Sequence, residues 1–325
     1  MKSVVEDIKK GSFKPVYLFY GEEAYLKQQY KNRLKNAVLP EGDTINLSIY
    51  SGKGIDVKEM IAQADTMPFF AEHRLLLIED SGFFKNANQQ LAEYIPSIPE
   101  ETIILFVESE VDKRGKLYKA VSKKGSVVEF TAQNEQTLTR WILGILKTEG
   151  KIITSGAMKQ FLEKTGTDME RIRQELEKLI CYCMEKESIT EEDVAVICSE
   201  QTENKIFDMI NAMAEKKQKK AMELYYDLLA LKEPPMRILY LITRQFNLLM
   251  QVKELSEEGY SAKTISERLK MAGFIVRNCL RQAEYFSLKT LKEALQDCVR
   301  MEEAVKTGRM NDVMSVELLL VKYSS

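Results

Sequence analysis

The sequence predicts an α/β domain with a mostly parallel sheet, followed by two all-α domains. Short apolar runs alternate with amphipathic helical segments up to about residue 131, and such alternation is typical of a parallel sheet. Beyond that point the apolar residues keep helical spacing, first in short segments and then, from about Asn204, in longer ones. We therefore expect domains at residues 1–135, 136–204 and 205–325.

Composition and charge exclude several classes of protein. The 325 residues are 45% hydrophobic and 30% charged, which is ordinary for a globular chain. A net charge of -2 gives no general attraction to nucleic acid. No apolar run approaches the length of a membrane span or of a signal peptide, so we expect a cytoplasmic protein without membrane contact.

The cysteines and the histidine argue against metal chemistry. The chain has 5 cysteines without a Cys-x-x-Cys pair, which indicates reduced thiols rather than a disulfide framework or a zinc site. His73 is the only histidine, which removes every histidine-containing triad and zinc set. The sequence predicts no metal, no cofactor and no catalytic residue.

Four apolar runs predict the strands of the sheet, at residues 15–20, 75–78, 103–107 and 127–130. The first run ends at the point where a phosphate-binding loop would begin. In the pattern G-x-x-x-x-G-K-[ST], Gly21 and Lys27 match. Leu26 replaces the second glycine, and Gln28 replaces the hydroxyl that binds magnesium.

Charge also argues against nucleotide binding at this loop. Two glutamates directly follow the glycine and would repel a triphosphate from the backbone N–H groups that must cradle it. We therefore predict a degenerate phosphate loop that does not bind ATP. Its residues are Gly21, Glu22, Glu23, Leu26, Lys27 and Gln28.

A connector between a predicted helix and the second predicted strand carries two adjacent aromatic residues. The helix before it has a strong start signal, with Asp56 as N-cap and Glu59 at capping-box spacing. Pro68 ends that helix. Phe69 and Phe70 then fall outside both the helical and the strand pattern. The rings either fold back under the edge of the sheet or form a hydrophobic plug for the pocket of a partner.

The rest of the chain predicts helices. Short ones are expected at residues 138–147, 157–164 and 169–183, and a fourth after Thr190, where Asp193 completes a capping box. Longer ones are expected at 219–231 and at 236–255, the latter apolar enough for a central core helix. Residues 261–286 resemble a helix-turn-helix, although few residues of its second helix could read bases. Those residues are Arg277, Asn278 and Arg281.

The order and spacing of several motifs over the full length resemble the delta-subunit family of the bacterial DNA polymerase III clamp loader. The N-terminal motifs are Tyr17-Leu-Phe-Tyr-Gly21-Glu-Glu23 and Pro68-Phe-Phe-Ala-Glu-His-Arg74-Leu. Central motifs are Asp112-Lys-Arg114 and Glu175-Leu-Glu-Lys-Leu179. C-terminal motifs are Pro234-Pro-Met-Arg-Ile-Leu, Arg244-Gln-Phe246, Lys306-Thr-Gly308 and Ser315-Val-Glu317-Leu-Leu.

The resemblance implies an AAA+-like N-terminal domain without ATPase activity, a helical lid-like domain and a C-terminal helical collar. It implies assembly through that collar with ATPase (tau/gamma) and delta-prime subunits in a ring of the DNA polymerase III holoenzyme. It further implies that the subunit binds the β sliding clamp and opens it for loading onto primer-template DNA. The chain lacks the intact phosphate loop and four-cysteine zinc module of the sister ATPases, and the Ser-Arg-Cys motif of delta-prime.

In that family a hydrophobic pair at this connector inserts into the clamp, and Phe69 and Phe70 occupy its positions. The best-known pair is leucine then phenylalanine, so Phe69 departs from it. The predicted clamp-binding set also contains neighbours of the pair: Met67 and Leu75 as apolar support, Pro68, and Arg74 as a partner for acidic groups at the rim. Two other functions stay open, an active AAA+ ATPase and a DNA-binding protein that uses residues 261–286.

Overall fold

A computed structural model describes residues 1–86, 88–199 and 202–324. The chain divides into two compact units, Met1–Gln133 and Asn134–Ser325. Within the residues described, no helix combines the length and the apolar character that crossing a membrane requires.

The first unit is built on a five-stranded, wholly parallel sheet with the strand order β2-β3-β4-β1-β5. The alternation of strands and helices thus produces the predicted α/β fold. The strands are β1 (Val16–Tyr20), β2 (Leu47–Ser51), β3 (Arg74–Glu79), β4 (Thr102–Glu108) and β5 (Ser126–Glu129).

Helices cover both faces of this sheet, which is why its central strands are apolar throughout. One face buries Leu76, Ile78, Ile104 and Phe106 in a single core cluster. The helices of this unit are α1 (Lys2–Lys10), α2 (Ala24–Val38), α3 (Val57–Ala64), α4 (Gln89–Tyr94) and α5 (Lys116–Lys124), with a 3-10 turn at Ile95–Ser97.

The second unit is mainly helical, and its helices agree with the predicted pattern. They are α6 (Glu135–Thr148), α7 (Ser155–Thr165), α8 (Met169–Tyr182), α9 (Glu191–Ile197), α10 (Thr202–Ala214), α11 (Gln218–Ala230), α12 (Pro235–Glu257), α13 (Ala262–Leu269), α14 (Gly273–Ala283), α15 (Leu288–Lys306) and α16 (Asp312–Ser324). The predicted capping box is present, because the Thr190 N–H donates to Asp193 at 2.9 Å.

Strands in this unit correct the prediction that none follows residue 131. Ile152–Ile153 (β6) pairs in parallel with Ser188–Ile189 (β7). Each strand has two residues, too few for any periodic pattern to show in the sequence.

The predicted core helix is α12. Its buried side chains belong to one cluster that also draws on α10, α11, α14, α15 and α16. Phe246 is fully buried, with its ring centroid 5.9 Å from that of Phe286 and 6.0 Å from that of Tyr323. Helices from the whole C-terminal part of the chain therefore pack around α12.

Candidate partner-binding site

The connector of residues 65–73 joins α3 to β3. The helix begins as predicted, since the Asp56 carboxylate accepts from the Lys58 N–H at 2.8 Å. It ends at Ala64, whose carbonyl accepts a buried hydrogen bond of 2.7 Å from the Thr102 hydroxyl. The connector therefore starts from a point fixed to the next strand.

Both aromatic rings of the connector lie in solvent. Phe69 is 57% exposed and Phe70 is 95% exposed. The rings touch each other edge to face, with centroids 4.6 Å apart. Met67 beside them is also exposed, and Pro68 is half-buried. The interpretation that the rings fold under the sheet is wrong, and a cluster of exposed apolar side chains on one short segment is the kind of surface that partners bind.

A buried asparagine holds the backbone of Phe69. The amide oxygen of Asn46 accepts from the Phe69 N–H at 2.7 Å, and the amide nitrogen donates to the Phe69 carbonyl at 3.0 Å. Asn46 is only 2% exposed. Asp43 orients it by accepting from the same amide nitrogen at 2.7 Å, and hydrogen bonds from Asn46 lower the pKa of the Asp43 carboxyl.

Arg74 holds the start of the connector from inside, which corrects the role predicted for it. Its guanidinium donates to the carbonyls of Thr66 at 3.0 Å and Met67 at 3.3 Å. Because Arg74 is 4% exposed, it is not available to acidic groups of a partner.

Leu75 is also placed differently from the prediction. It is fully buried in β3, and its N–H donates to the carbonyl of Asn46 at 2.8 Å. Since β3 already begins at Arg74, both residues belong to the sheet rather than to the exposed segment. The exposed part of the predicted set is Met67, Phe69 and Phe70.

The backbone at Phe70 is left-handed, with φ of 49°. This conformation costs a non-glycine residue roughly 1–2 kcal/mol. The ring of Phe70 is 95% exposed and contacts only the Phe69 ring among the aromatic side chains described, so burial offsets little of that cost. The hydrogen bonds from Asn46 to the Phe69 backbone fix the chain directly before Phe70 and thereby support this conformation.

The degenerate phosphate loop is closed by the chain's own backbone. Gly21 has φ of 117°, and a Cβ there would lie 2.3 Å from the carbonyl oxygen of Phe130. That same oxygen accepts from the Glu23 N–H at 3.1 Å. An N–H group at the start of α2 that could face a phosphate is thus already used.

The lysine of this loop is also engaged. The Lys27 ammonium donates to the carbonyl of Glu108 at 3.2 Å in a buried position, and burial lowers the pKa of Lys27. Leu26 is buried, whereas Gln28 and Glu22 are exposed.

The helix-turn-helix-like segment forms α13 and α14, joined by three residues. Its three candidate base-reading side chains make contacts within the protein. Arg277 pairs with Glu135 at 3.3 Å, and Arg281 donates to Asn278.

Among all the residues that the structure describes, no group of three or more His, Cys, Asp or Glu side chains is placed to hold a metal ion.

Comparison with known proteins supplies the family. The sequence-family model of the DNA polymerase III delta subunit matches residues 17–131, and the family model of its C-terminal domain matches residues 203–323. DNA polymerase III subunit delta of Bacillus subtilis (strain 168) is 30% identical over 331 residues, which cover 98% of this chain and 95% of that protein. A probable DNA polymerase III subunit delta of Aquifex aeolicus (strain VF5) is 21% identical over 257 residues, or 75% and 72% of the two chains. The solved structure of the Bacillus subtilis DNA clamp loader delta protein has a TM-score of 0.69, at 30% identity, and the match covers 99% of both chains.

The parallel α/β unit and the helical unit that follows define an AAA+-like protein. In its degenerate phosphate loop, the Glu23 N–H and the Lys27 ammonium already donate to backbone carbonyls. The relatives that match almost the whole length make the assignment specific: the chain belongs to the delta-subunit family of the DNA polymerase III clamp loader. The family expected from the motifs is thereby confirmed.

Proposed function

We propose that this chain binds the β sliding clamp through Phe69 and Phe70 and opens it for loading onto primed DNA. The observation that carries the proposal is the pair of exposed, touching rings on a connector held by buried hydrogen bonds. Burial of one phenylalanine side chain stabilises a complex by roughly 1.5–3 kcal/mol. Two adjacent rings in a pocket can therefore dominate a small interface.

Opening of the clamp follows from unequal affinity. A ligand shifts a conformational equilibrium only as far as it binds one state better than the other. The plug would thus bind the open clamp better than the closed one. The chain itself would supply no catalysis, because the groups of its phosphate loop are engaged with Phe130 and Glu108. ATP would be bound by partner subunits.

The C-terminal helix supports assembly with those partners, the ATPase (tau/gamma) and delta-prime subunits. Helix α16 buries Val316, Leu319 and Leu320 in the core of its unit, yet Met314 and Leu318 on the other side are 52% and 43% exposed. A helix that is apolar on both sides is suited to burial between two bodies. The assembled ring would act on primer-template DNA at the replisome in the cytoplasm.

Binding of the purified chain to its own sliding clamp tests the proposal. We expect the Phe69→Ala, Phe70→Ala double variant to lose about a hundredfold or more in affinity, equivalent to roughly 3 kcal/mol. Tyr240→Ala and Tyr285→Ala are matched controls, since these aromatic residues are 64% and 60% exposed but lie in the other unit. Circular dichroism and thermal unfolding establish that each variant is folded.

The outcomes separate the alternatives. If the folded double variant binds the clamp as well as the wild type does, the clamp site lies elsewhere on the chain. If the wild type itself does not bind, clamp binding by this chain is wrong. Equal losses in the tyrosine controls would show that any exposed aromatic side chain matters, which argues against a defined plug.

A further inference from the structure

The side chain that fixes the connector lies outside it, in the turn before β2. We propose that Asn46 is a positioning residue for clamp docking, which holds the peptide of Phe69 so that the Phe70 ring projects before the partner arrives. This inference rests on the proposed function. Asn46 would touch no partner itself, because it is 2% exposed.

Two hydrogen bonds join the side chain of Asn46 to the backbone of Phe69. Both hydrogen-bonding groups of Phe69, its N–H and its carbonyl, pair with the one amide of Asn46, at 2.7 and 3.0 Å. An asparagine amide offers a donor and an acceptor side by side, which no aliphatic, hydroxyl or carboxylate side chain reproduces. The asparagine side chain is therefore suited to binding both backbone groups of one residue, and it fixes the peptide units on either side of the Phe69 Cα.

Asn46 is itself held in place. The carboxylate of Asp43 accepts from the Asn46 backbone N–H at 3.0 Å and from its side-chain amide at 2.7 Å. The carbonyl of Asn46 accepts from the N–H of Leu75 in β3 at 2.8 Å. The gripping group is thus attached to the sheet and cannot move freely with the connector.

A second set of hydrogen bonds holds the backbone before the two rings. Arg74 holds the carbonyls of Thr66 and Met67, so the backbone is tied on both sides of Pro68. Phe70 follows directly and adopts φ of 49°. Because Phe70 is 95% exposed, its packing gives little support to this conformation, whereas the hydrogen bond to the Phe69 carbonyl fixes the peptide unit that leads into Phe70.

Preorganisation of the connector by Asn46 should have a measurable effect on clamp affinity. The apparent dissociation constant equals the intrinsic one divided by the fraction of molecules in the binding-competent conformation. If loss of the Asn46 amide lowers that fraction to about a tenth, clamp affinity falls about tenfold, although both rings remain. A purely structural role for Asn46 would lower stability and leave the affinity of folded molecules unchanged.

The experiment compares Asn46→Ala with Ser81→Ala in the full-length chain. Ser81 is a matched control, because it is also a buried polar residue of the first unit, 5% exposed, and its hydrogen bonds go to Glu108 and Phe83 rather than to the connector. Clamp affinity is measured at a temperature where both variants are fully folded. If Asn46→Ala fails to fold, Asn46→Gln replaces it, since this variant keeps an amide but places it one methylene too far.

Hydrogen exchange supplies a readout that is independent of the clamp. We expect the Phe69 amide to exchange slowly in the wild type although its ring is exposed, and at least about tenfold faster in Asn46→Ala. In the Phe69→Ala, Phe70→Ala background, removal of Asn46 should cause no further loss of clamp affinity.

The inference is wrong if Asn46→Ala binds the clamp like the wild type, or if Ser81→Ala weakens binding equally. Both results are distinct from failure of the proposed function. If the proposed function fails, the wild type does not bind the clamp, or clamp binding is insensitive to loss of both rings.

Discussion

At the scale of single residues, Phe70 combines two unfavourable features. Its ring is almost fully exposed and its backbone is left-handed. Neither feature adds much to the stability of the isolated chain, since an exposed ring gains little burial energy beyond its contact with Phe69 and a left-handed backbone is costly for a side chain with a Cβ. Such local conflicts are expected where function, and not stability, determines the residue.

Replacement of Phe70 by glycine should therefore separate stability from binding. Glycine removes a backbone strain of roughly 1–2 kcal/mol. It also makes the unfolded chain more flexible, which raises the entropic cost of folding by about 0.5–1 kcal/mol. We expect the free energy of unfolding to stay constant or rise by up to about 1 kcal/mol, while clamp affinity falls steeply. Urea denaturation and clamp titration measure the two effects. Clear destabilisation would show that the ring packs within the free protein.

Asp193 makes a residue-scale prediction about pH. Its carboxylate, 3% exposed, lies 2.5 Å from the ammonium of Lys186, and that hydrogen bond, with those from Thr190, lowers the pKa of Asp193 to about 2. Because the folded-state pKa lies below the ordinary 3.8, the stabilisation is present above about pH 4 and is lost as the pH falls toward 2.

We expect Asp193→Asn to be less stable than the wild type by on the order of 1 kcal/mol at pH 6, since the Lys186 partner is half exposed. The difference between the two proteins should shrink as the pH falls from about 4 to about 2. Thermal unfolding at stepped pH measures it. A difference that is constant over this range would mean that the Asp193 charge does not stabilise the fold.

The sequence predicts the position of the aromatic pair better than the means that hold it. Asp56, Pro68 and the apolar run of β3 are local signals, so they mark the connector without knowledge of the fold. The contact from Asn46 spans 23 residues of chain, and nothing local in residues 43–46 points to it. The buried state of Arg74 was missed for a related reason, because it depends on where β3 begins and on carbonyls that face inward.

At the scale of elements, the central strands of the sheet were predictable because they are buried on both faces and read as continuous apolar runs. Strand β2 was not predicted. It lies at the edge of the sheet, and its sequence Leu-Ser-Ile-Tyr-Ser has neither a continuous apolar run nor a strict alternation, because all five residues are at least partly exposed. Its place in the fold follows from pairing with β3. The sequence of residues 47–51 alone carries no information about that pairing.

The turn after β1 also shows an element-scale constraint. Gly21 brings this turn against the residue that follows β5, and a Cβ would collide with the carbonyl of Phe130. We expect Gly21→Ala to destabilise the protein by about 2–4 kcal/mol, because both the left-handed backbone and the clash are unfavourable. Gly11→Ala is the control, since Gly11 has φ of 63° but open space around it, and should cost only about 1 kcal/mol. Equal losses in urea denaturation would show that the contact with Phe130 has no energetic role.

At the scale of the whole molecule, the two exposed apolar surfaces lie in different units of the chain. The rings of Phe69 and Phe70 belong to the first unit, and the exposed side of α16 to the second. The proposed function requires both a contact to the clamp and a contact to neighbouring subunits in the ring. The two surfaces should therefore fail independently when mutated.

The decisive variant for assembly is Met314→Glu, Leu318→Glu in α16. Both side chains are about half exposed, so the charges should leave the fold intact but oppose burial against another subunit, because an unpaired charge is costly to desolvate. We expect this variant to bind the clamp like the wild type and to lose at least about tenfold in affinity for the ATPase and delta-prime subunits. Reconstitution of the loader followed by size-exclusion chromatography measures assembly.

The plug variant should show the opposite pattern, with normal assembly and no clamp binding. Met184→Glu serves as the control for added charge, since Met184 is 74% exposed and lies outside α16. If the α16 variant assembles normally, another face of the C-terminal unit forms the collar. If the folded α16 variant loses clamp binding as well, the two contacts are energetically coupled, and the clamp site and the assembly surface do not act as independent docking surfaces.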